Sequence, residues 1–139
     1  MDRPQTMKLA HQVRHISIFI DRPHEEVYEF ASNPVNLPRW ATGLGGSIRH
    51  VDNEWIADAP MGRVKIRFAA WNEFGVLDHD VITEGGDSFH NPMRVVPNGK
   101  GSEVTFMLFR REGVSDEEFS ADAEWVSKDL RILKDIVEK

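Results

Sequence analysis

The chain has 139 residues, of which 40% are hydrophobic and 29% are charged, a composition typical of one globular domain. It contains no cysteine, which excludes disulfides, thiolate metal ligands and a thiol nucleophile. The formal net charge is −6 and no block of basic residues occurs, so nucleic acid is not an expected partner.

The first twelve residues are polar and show no hydrophobic periodicity. We therefore predict a flexible N-terminal arm (1–12) followed by one domain (13–139). The arm has no apolar segment of signal-peptide type, and no stretch of the chain approaches the roughly 18 apolar residues of a membrane span. The expected location is the cytoplasm, with no membrane span.

The domain is predicted to begin with a strand at 13–20, where isoleucines recur at every second position. A helix should follow from Pro23, because proline suits the first turn of a helix. It should end near Asn33, because Pro34 disfavours a helical conformation at the preceding residue. A second short helix is predicted at 35–41.

The middle of the chain is predicted to form antiparallel strands separated by turns rich in glycine, asparagine and proline. The strand at 63–71 has the clearest alternation of apolar and charged residues. Pro92 lies inside a predicted strand and indicates an edge position or a bulge. The predicted strands are 47–51, 54–59, 63–71, 76–83, 88–96 and 102–110.

The C-terminal segment is predicted to form one long helix from Ser115 to about Glu138. Ser115 and Glu118 have the spacing of a capping box. Apolar residues recur every three or four positions in a stripe wide enough to lie along a sheet. The element order predicts an α+β fold: a curved antiparallel sheet of about six or seven strands, with two short helices and a long C-terminal helix packed over a cavity.

Four stretches of the sequence resemble the START-like (SRPBCC) superfamily, whose helix-grip fold has this element order. VRHISIFIDRPHEEVYEFASNPVNLPRWATGL is similar to the superfamily's opening strand, helix pair and tryptophan-containing connection. EFGVLDHDV, PMRVVPNGKGSEVTFMLFR and DLRILKDIVE resemble one of its small bacterial branches. The resemblance covers residues 13–138. It implies a helix-grip fold and a place among polyketide-cyclase-like and lipid-transport-like proteins.

The triplet Asp78-His79-Asp80 is a candidate cluster of catalytic or metal-binding groups. Because strand side chains alternate, the two aspartates share one face and His79 lies on the other. The triplet is therefore not predicted to hold a metal, and no other cofactor is predicted. His79 is expected to point toward the helix, either as a buried acid–base group or as an ordinary core histidine.

The same alternation predicts which side chains line the cavity. Apolar walls that carry a few polar groups are typical of small-molecule sites. Trp40 is predicted to close one mouth of the cavity, and residues of the long helix are predicted to cover it. The predicted ligand-binding residues are Trp40, Trp55, Ala57, Ile66, Phe68, Ala70, His79, Asn91, Met93, Phe106, Leu108, Phe119, Trp125 and Leu130.

Three functions stay open on the sequence alone. The first is the binding of a small apolar or aromatic molecule, which requires only the predicted walls. The second follows the resemblance and is a cofactor-free cyclase- or dehydratase-like enzyme, with His79 as acid or base and Asn91 as a hydrogen-bonding orienter. The third is a protein-interaction domain, and a homodimer is among the alternatives.

Overall fold

The computed structural model describes residues 10–44, 46–60 and 62–139. Most of the predicted N-terminal arm lies outside the described residues, as do Gly45 and Met61 of two predicted turns. Within the described part, short 3₁₀ helices occupy Pro34–Asn36 and Thr42–Leu44. The strands are β1 (Val13–Ile20), β2 (Ile48–Val51), β3 (Glu54–Ala59), β4 (Gly62–Phe68), β5 (His79–Thr83), β6 (Ser88–Asn91), β7 (Met93–Asn98) and β8 (Gly101–Phe109); the helices are α1 (His24–Ala31), α2 (Leu37–Trp40) and α3 (Asp116–Val137).

The strands form two antiparallel sheets, ordered β1-β8-β7 and β2-β3-β4-β5-β6. β1 pairs with β8 along its whole length. The turn between β2 and β3 has positive φ at both Asp52 and Asn53, a conformation that matches the twist of a two-residue hairpin. The predicted α+β class, with antiparallel sheets, two short helices and a long C-terminal helix, is confirmed.

Pro92 divides the segment that was predicted as one strand at 88–96. β6 pairs with β5 in the five-stranded sheet, whereas β7 pairs with β8 in the three-stranded sheet. Proline has no N–H to donate to a ladder, so the chain can leave one sheet at this position and enter the other. This division accounts for eight strands in the described residues, where about six or seven were predicted.

The connection between β4 and β5, residues 69–78, is called the junction loop below. β4 ends at Phe68 and β5 begins at His79, so the strands predicted at 63–71 and 76–83 are both shorter than expected. The reason is a local network around Asn72. Its side-chain amide exchanges hydrogen bonds of 2.9–3.0 Å with the backbone of Ala70, Phe74 and Val76.

The junction loop links the two sheets through hydrogen bonds to β7. The Leu77 N–H donates to the Met93 carbonyl over 2.8 Å, and the Val95 N–H donates to the Gly75 carbonyl over 3.0 Å. The Met93 N–H in turn donates to Oδ1 of Asp78 over 2.9 Å. These bonds set the position of β5 relative to the three-stranded sheet.

α3 begins with the predicted capping box. Oγ of Ser115 accepts from the Glu118 N–H over 3.1 Å, and the Glu118 carboxylate accepts from the Ser115 N–H over 3.2 Å. The bond from the Ser115 N–H to the carboxylate is the largest cause of a lowered pKa of Glu118, and the Ser115 hydroxyl adds to the effect. The helix buries Phe119, Ala123, Leu130 and Leu133. Among the described residues, no helix is both long and apolar enough to cross a membrane.

The C-terminal end of α3 is hydrogen-bonded to the connection between β1 and α1. Nζ of Lys134 donates to the Phe19 carbonyl over 2.9 Å and to the Glu138 carboxylate over 2.6 Å. The Asp21 N–H donates to Glu138 over 2.7 Å, and this bond, followed by that from Lys134, lowers the pKa of Glu138. Arg22 donates to the Glu138 carbonyl over 2.6 Å, which completes the attachment.

Gly75 has a φ of +72°, and a Cβ atom at this position would overlap the carbonyl oxygen of Val95. Gly75→Ala is therefore expected to lower the free energy of unfolding by at least about 2 kcal/mol, because both the strained backbone and the overlap must be accommodated. Urea denaturation measures the loss.

Gly99→Ala is the matched control for this substitution. Gly99 also has positive φ, at +59°, but a Cβ atom there would meet open space. Its expected cost is about 1 kcal/mol, from the backbone conformation alone. Equal losses in the two variants would contradict a close packing of Gly75 against β7.

Candidate functional site

His79 is the first residue of β5 and is buried, with 7% of its surface exposed. Its Cα partners are Phe68 on β4 and Asn91 on β6, so the three side chains form one row across the sheet. The imidazole lies 5.0 Å from the Phe68 ring and 6.2 Å from the Phe106 ring, measured between centroids. This burial agrees with the orientation predicted from strand alternation.

The hydrogen bonding of His79 assigns its tautomer. Nδ1 lies 3.0 Å from the Leu77 carbonyl, which can only accept, so Nδ1 carries the hydrogen. Burial lowers the pKa of His79 below its ordinary value of 6.5, against the opposing effect of the bond to Leu77. The ring is therefore neutral at pH 7, and its Nε2 keeps a lone pair that can accept a proton or a hydrogen bond.

Asp78 and Asp80 are both half-buried and have partners of their own. Asp78 accepts from the Met93 N–H and lies 3.9 Å from Nε of Arg94. The Asp80 carboxylate is hydrogen-bonded to Nδ1 of His90, on the exposed side of β6. The triplet is thus divided between the two sides of the strand.

A groove of about 560 Å³ opens between β6, the end of β8 and the first turns of α3. Three of the predicted ligand-binding residues line it: Asn91, Leu108 and Phe119. Because Asn91 is the cross-strand partner of His79, the groove begins one strand, about 5 Å, from the buried imidazole. The other lining residues are His11, Phe89, His90, Phe109, Arg110, Arg111, Glu112, Val114 and Asp122.

Two arginines lie against aromatic rings of this groove. The Arg111 guanidinium carbon is 3.9 Å from the centroid of Phe89, and Nη1 donates to the Ser88 carbonyl over 3.0 Å. The guanidinium carbon of Arg110 is 5.8 Å from the centroid of Phe119. Cations held over ring faces in this way place positive charge beside the apolar wall, next to the lining carboxylates of Glu112 and Asp122.

Phe89, Arg111 and Asp122 were not among the predicted ligand-binding residues. Phe89 has the strand parity of Asn91, and that signal could have identified it. Arg111 follows β8 outside any strand, and Asp122 lies on a helix, so strand alternation carries no information about either. Burial raises the pKa of Asp122, and the charge of Glu118 adds to the effect.

Most of the other predicted ligand-binding residues are packed in the core or at its edge. Trp40 is 3% exposed, and its Nε1–H has no hydrogen-bond partner within the described ranges. Trp55 is half-buried and stacks on the exposed His50 ring at 4.4 Å. Their contact with a ligand stays a prediction, as it does for Ala57, Ile66, Phe68, Met93, Phe106 and Leu130.

Two predicted ligand-binding residues do not have the inward orientation assigned to them. Trp125 is 52% exposed. It follows the buried Ala123 by two residues, which is about 200° of helix rotation, so it lies opposite the buried stripe of α3. Ala70 is exposed because β4 ends at Phe68, and the alternation of a strand no longer applies in the junction loop.

No protein-family model matches the sequence, and no curated protein matches it either. Solved structures do match. An uncharacterized protein of Bacillus thuringiensis is similar with a TM-score of 0.71 and 18% identity, covering 92% of this chain and 100% of its own. Ara h 8.0201 is similar with a TM-score of 0.69 and 14% identity, covering 91% of this chain and 97% of its own.

A third similar structure is DynU16, a protein of the dynemicin biosynthetic locus. Its TM-score is 0.67 at 14% identity, and the match covers 91% of this chain and 47% of DynU16. At 14 to 18% identity, these similarities establish the fold and leave the activity open. The element order, the sheet topology and these neighbours together show that the chain has a helix-grip fold.

Proposed function

We propose that the protein binds a small apolar or aromatic molecule in the groove between β6, β8 and α3. The observation that carries this proposal is the lining, in which Phe89, Leu108 and Phe119 provide an apolar wall beside a few polar groups. Small-molecule sites usually have this composition, and a volume of about 560 Å³ lies within their usual range.

The polar groups favour a ligand that carries an acceptor or an anionic substituent on an aromatic or alicyclic body. Arg111 is held on the Phe89 ring, and its guanidinium has more N–H donors than its bond to Ser88 uses. Asn91 can both donate and accept near the apolar wall. A flat ring could then pack on Phe119 while its substituent meets Arg111 or Asn91.

The fold comparison supports this proposal in general terms. One protein of similar fold, DynU16, comes from a biosynthetic locus. A small-molecule ligand for this chain is consistent with that similarity. The choice of groove depends on its lining residues, because the fold by itself hosts many functions.

Binding of 1-anilinonaphthalene-8-sulfonate, an aromatic anion whose fluorescence rises in apolar sites, tests the groove directly. The wild-type protein is expected to bind it saturably. Phe89→Ala is expected to weaken binding about tenfold, because it removes one aromatic wall and the support of Arg111. A fluorescence titration measures both dissociation constants.

Phe74→Ala is the matched control, because Phe74 is 81% exposed and does not line this groove. Its affinity for the probe should equal that of the wild-type protein. Absence of saturable binding to the wild-type protein, or an unchanged affinity in Phe89→Ala, would overturn the assignment of the groove.

The tautomer of His79 favours acid–base catalysis as a second candidate function. A neutral ring with a free Nε2, one strand from the groove, has the properties of a general base. The bond from Nδ1 to the Leu77 carbonyl orients the ring in the way that a catalytic histidine requires. Asn91 lies opposite His79 on the neighbouring strand β6 and could orient a substrate carbonyl.

Compounds that raise the melting temperature of the protein can serve as candidate substrates. Each would be incubated with wild-type protein and with His79→Gln, and mass spectrometry would follow its conversion. If His79 is the acid or base, conversion by the variant should fall by about 100-fold or more while the compound still binds. Equal conversion by both proteins would remove His79 from the chemistry.

The lowered pKa of His79 also predicts a pH dependence of stability. Because burial lowers the pKa of His79 in the folded protein, the unfolded chain binds a proton there more readily, so stability is lost as the pH falls below 6.5. Between pH 7.5 and 5.5 this loss is at most about 1.4 kcal/mol. Urea denaturation at the two pH values measures it.

His79→Gln should reduce this pH-dependent loss, whatever its effect on stability at pH 7.5. His90→Gln is the matched control, because His90 is exposed and its removal leaves the buried imidazole in place. A loss in His79→Gln as large as in the wild-type protein would show that His79 is not held neutral by burial.

A further inference from the structure

A second groove, of about 600 Å³, lies between α1 and the junction loop. It shares no lining residue with the first groove. Its wall combines three carboxylates with two aromatic rings, a composition unlike that of the apolar groove. The lining residues are His24, Glu25, Tyr28, Glu29, Trp71, Asn72, Glu73 and Gly75.

The aromatic part of this wall is an exposed indole on a rigid support. Trp71 is 72% exposed, and its ring stands at 78° to the ring of Tyr28 with 6.0 Å between centroids. The backbone N–H of Asn72 donates to Oη of Tyr28 over 2.8 Å. The Asn72 side chain also forms hydrogen bonds within the junction loop, so the backbone that carries the exposed indole is held in place.

Glu29 is placed against local helix preferences, whereas Glu25 lies in the first turn of α1, where an acidic side chain suits the helix dipole. Glu25 and Glu29 are one turn apart on α1, where like charges destabilise a helix. Glu29 also lies near the C-terminal end of α1, the negative end of the helix dipole, and that last turn has no basic residue. Charges that break local rules in this way often mark functional sites.

The cations that could neutralise these carboxylates are few. Glu25 lies 3.3 Å from Nδ1 of His24, which is charged only when protonated. Glu29 and Glu73 form no ion pair with any residue in the described ranges. The groove therefore presents negative charge beside an indole, and a cation with an apolar surface complements both.

We propose that this groove binds an alkylammonium group, of the kind found in a choline-type small molecule or in an N-methylated lysine side chain. Tryptophan is the strongest partner for such a cation, because the face of its ring is electron-rich. The methyl groups pack on Trp71, and the carboxylates of Glu25, Glu29 and Glu73 balance the positive charge.

Choline chloride is the first probe, added at constant ionic strength by replacement of sodium chloride. Nuclear magnetic resonance would follow the indole N–H of Trp71 and the backbone N–H of Asn72. Saturable shifts of both signals are expected at millimolar choline. The neutral isostere 3,3-dimethyl-1-butanol should bind about tenfold more weakly or not at all, because it lacks the charge.

Two substitutions test the two halves of the wall. Trp71→Leu, which keeps an apolar side chain, should weaken choline binding about fivefold or more, and Glu29→Gln should weaken it about threefold. Trp125→Leu and Glu124→Gln are the matched controls on exposed positions of α3, and both should bind choline as the wild-type protein does.

The outcomes decide the proposal in either direction. The proposal is overturned if choline causes no saturable shift at concentrations up to 50-fold above the expected millimolar dissociation constant. It is also overturned if the neutral isostere binds with equal affinity, or if Trp71→Leu and Glu29→Gln leave the affinity for choline unchanged. A peptide that contains trimethyllysine then separates the sources. If it binds at least about tenfold more tightly than choline, the partner is a protein segment, and otherwise it is a small molecule.

Discussion

The two sheets of this fold are held in a fixed relative position by hydrogen bonds between the junction loop and β7. Gly75 makes this contact possible, because any side chain at its position would overlap the Val95 carbonyl. The backbone of Leu77 and the side chain of Asp78 add bonds to Met93. Pro92 lies next to this contact, where the chain passes from one sheet to the other.

Both candidate sites depend on this contact. On its inner side it sets the start of β5, and so places His79 in the core with Asn91 beside it at the edge of the first groove. On its outer side the same loop carries Trp71 against Tyr28 of α1. One short connection therefore positions the buried imidazole and the exposed indole, although the two side chains belong to different candidate sites.

Alternation along strands was sufficient to predict most of the sheets and the burial of His79, because a two-residue period survives as long as the strand does. It could not predict that β4 stops at Phe68. The cause is the hydrogen bonding of Asn72 and the close packing of Gly75 against Val95, and neither leaves a periodic pattern in the sequence. Trp125 was misplaced because apolar character alone does not show which side of a wide helical stripe is covered. The sequence predicted only part of the lining of the first groove. Arg111 lies in a connection and Asp122 on a helix, and only tertiary packing brings them together.

The attachment of α3 at its C-terminal end allows the helix to pivot about that end. Lys134 and Glu138 tie that end to the connection between β1 and α1, whereas the first turn is tied to the end of β8 through the exposed carboxylate of Asp116, which accepts from Arg110. A helix of 22 residues is about 33 Å long, so a pivot of about 5° at the tied end would carry its first turn through about 3 Å. The first turns border the groove. The width of the groove is therefore sensitive to small rotations that hardly disturb the far end of the helix.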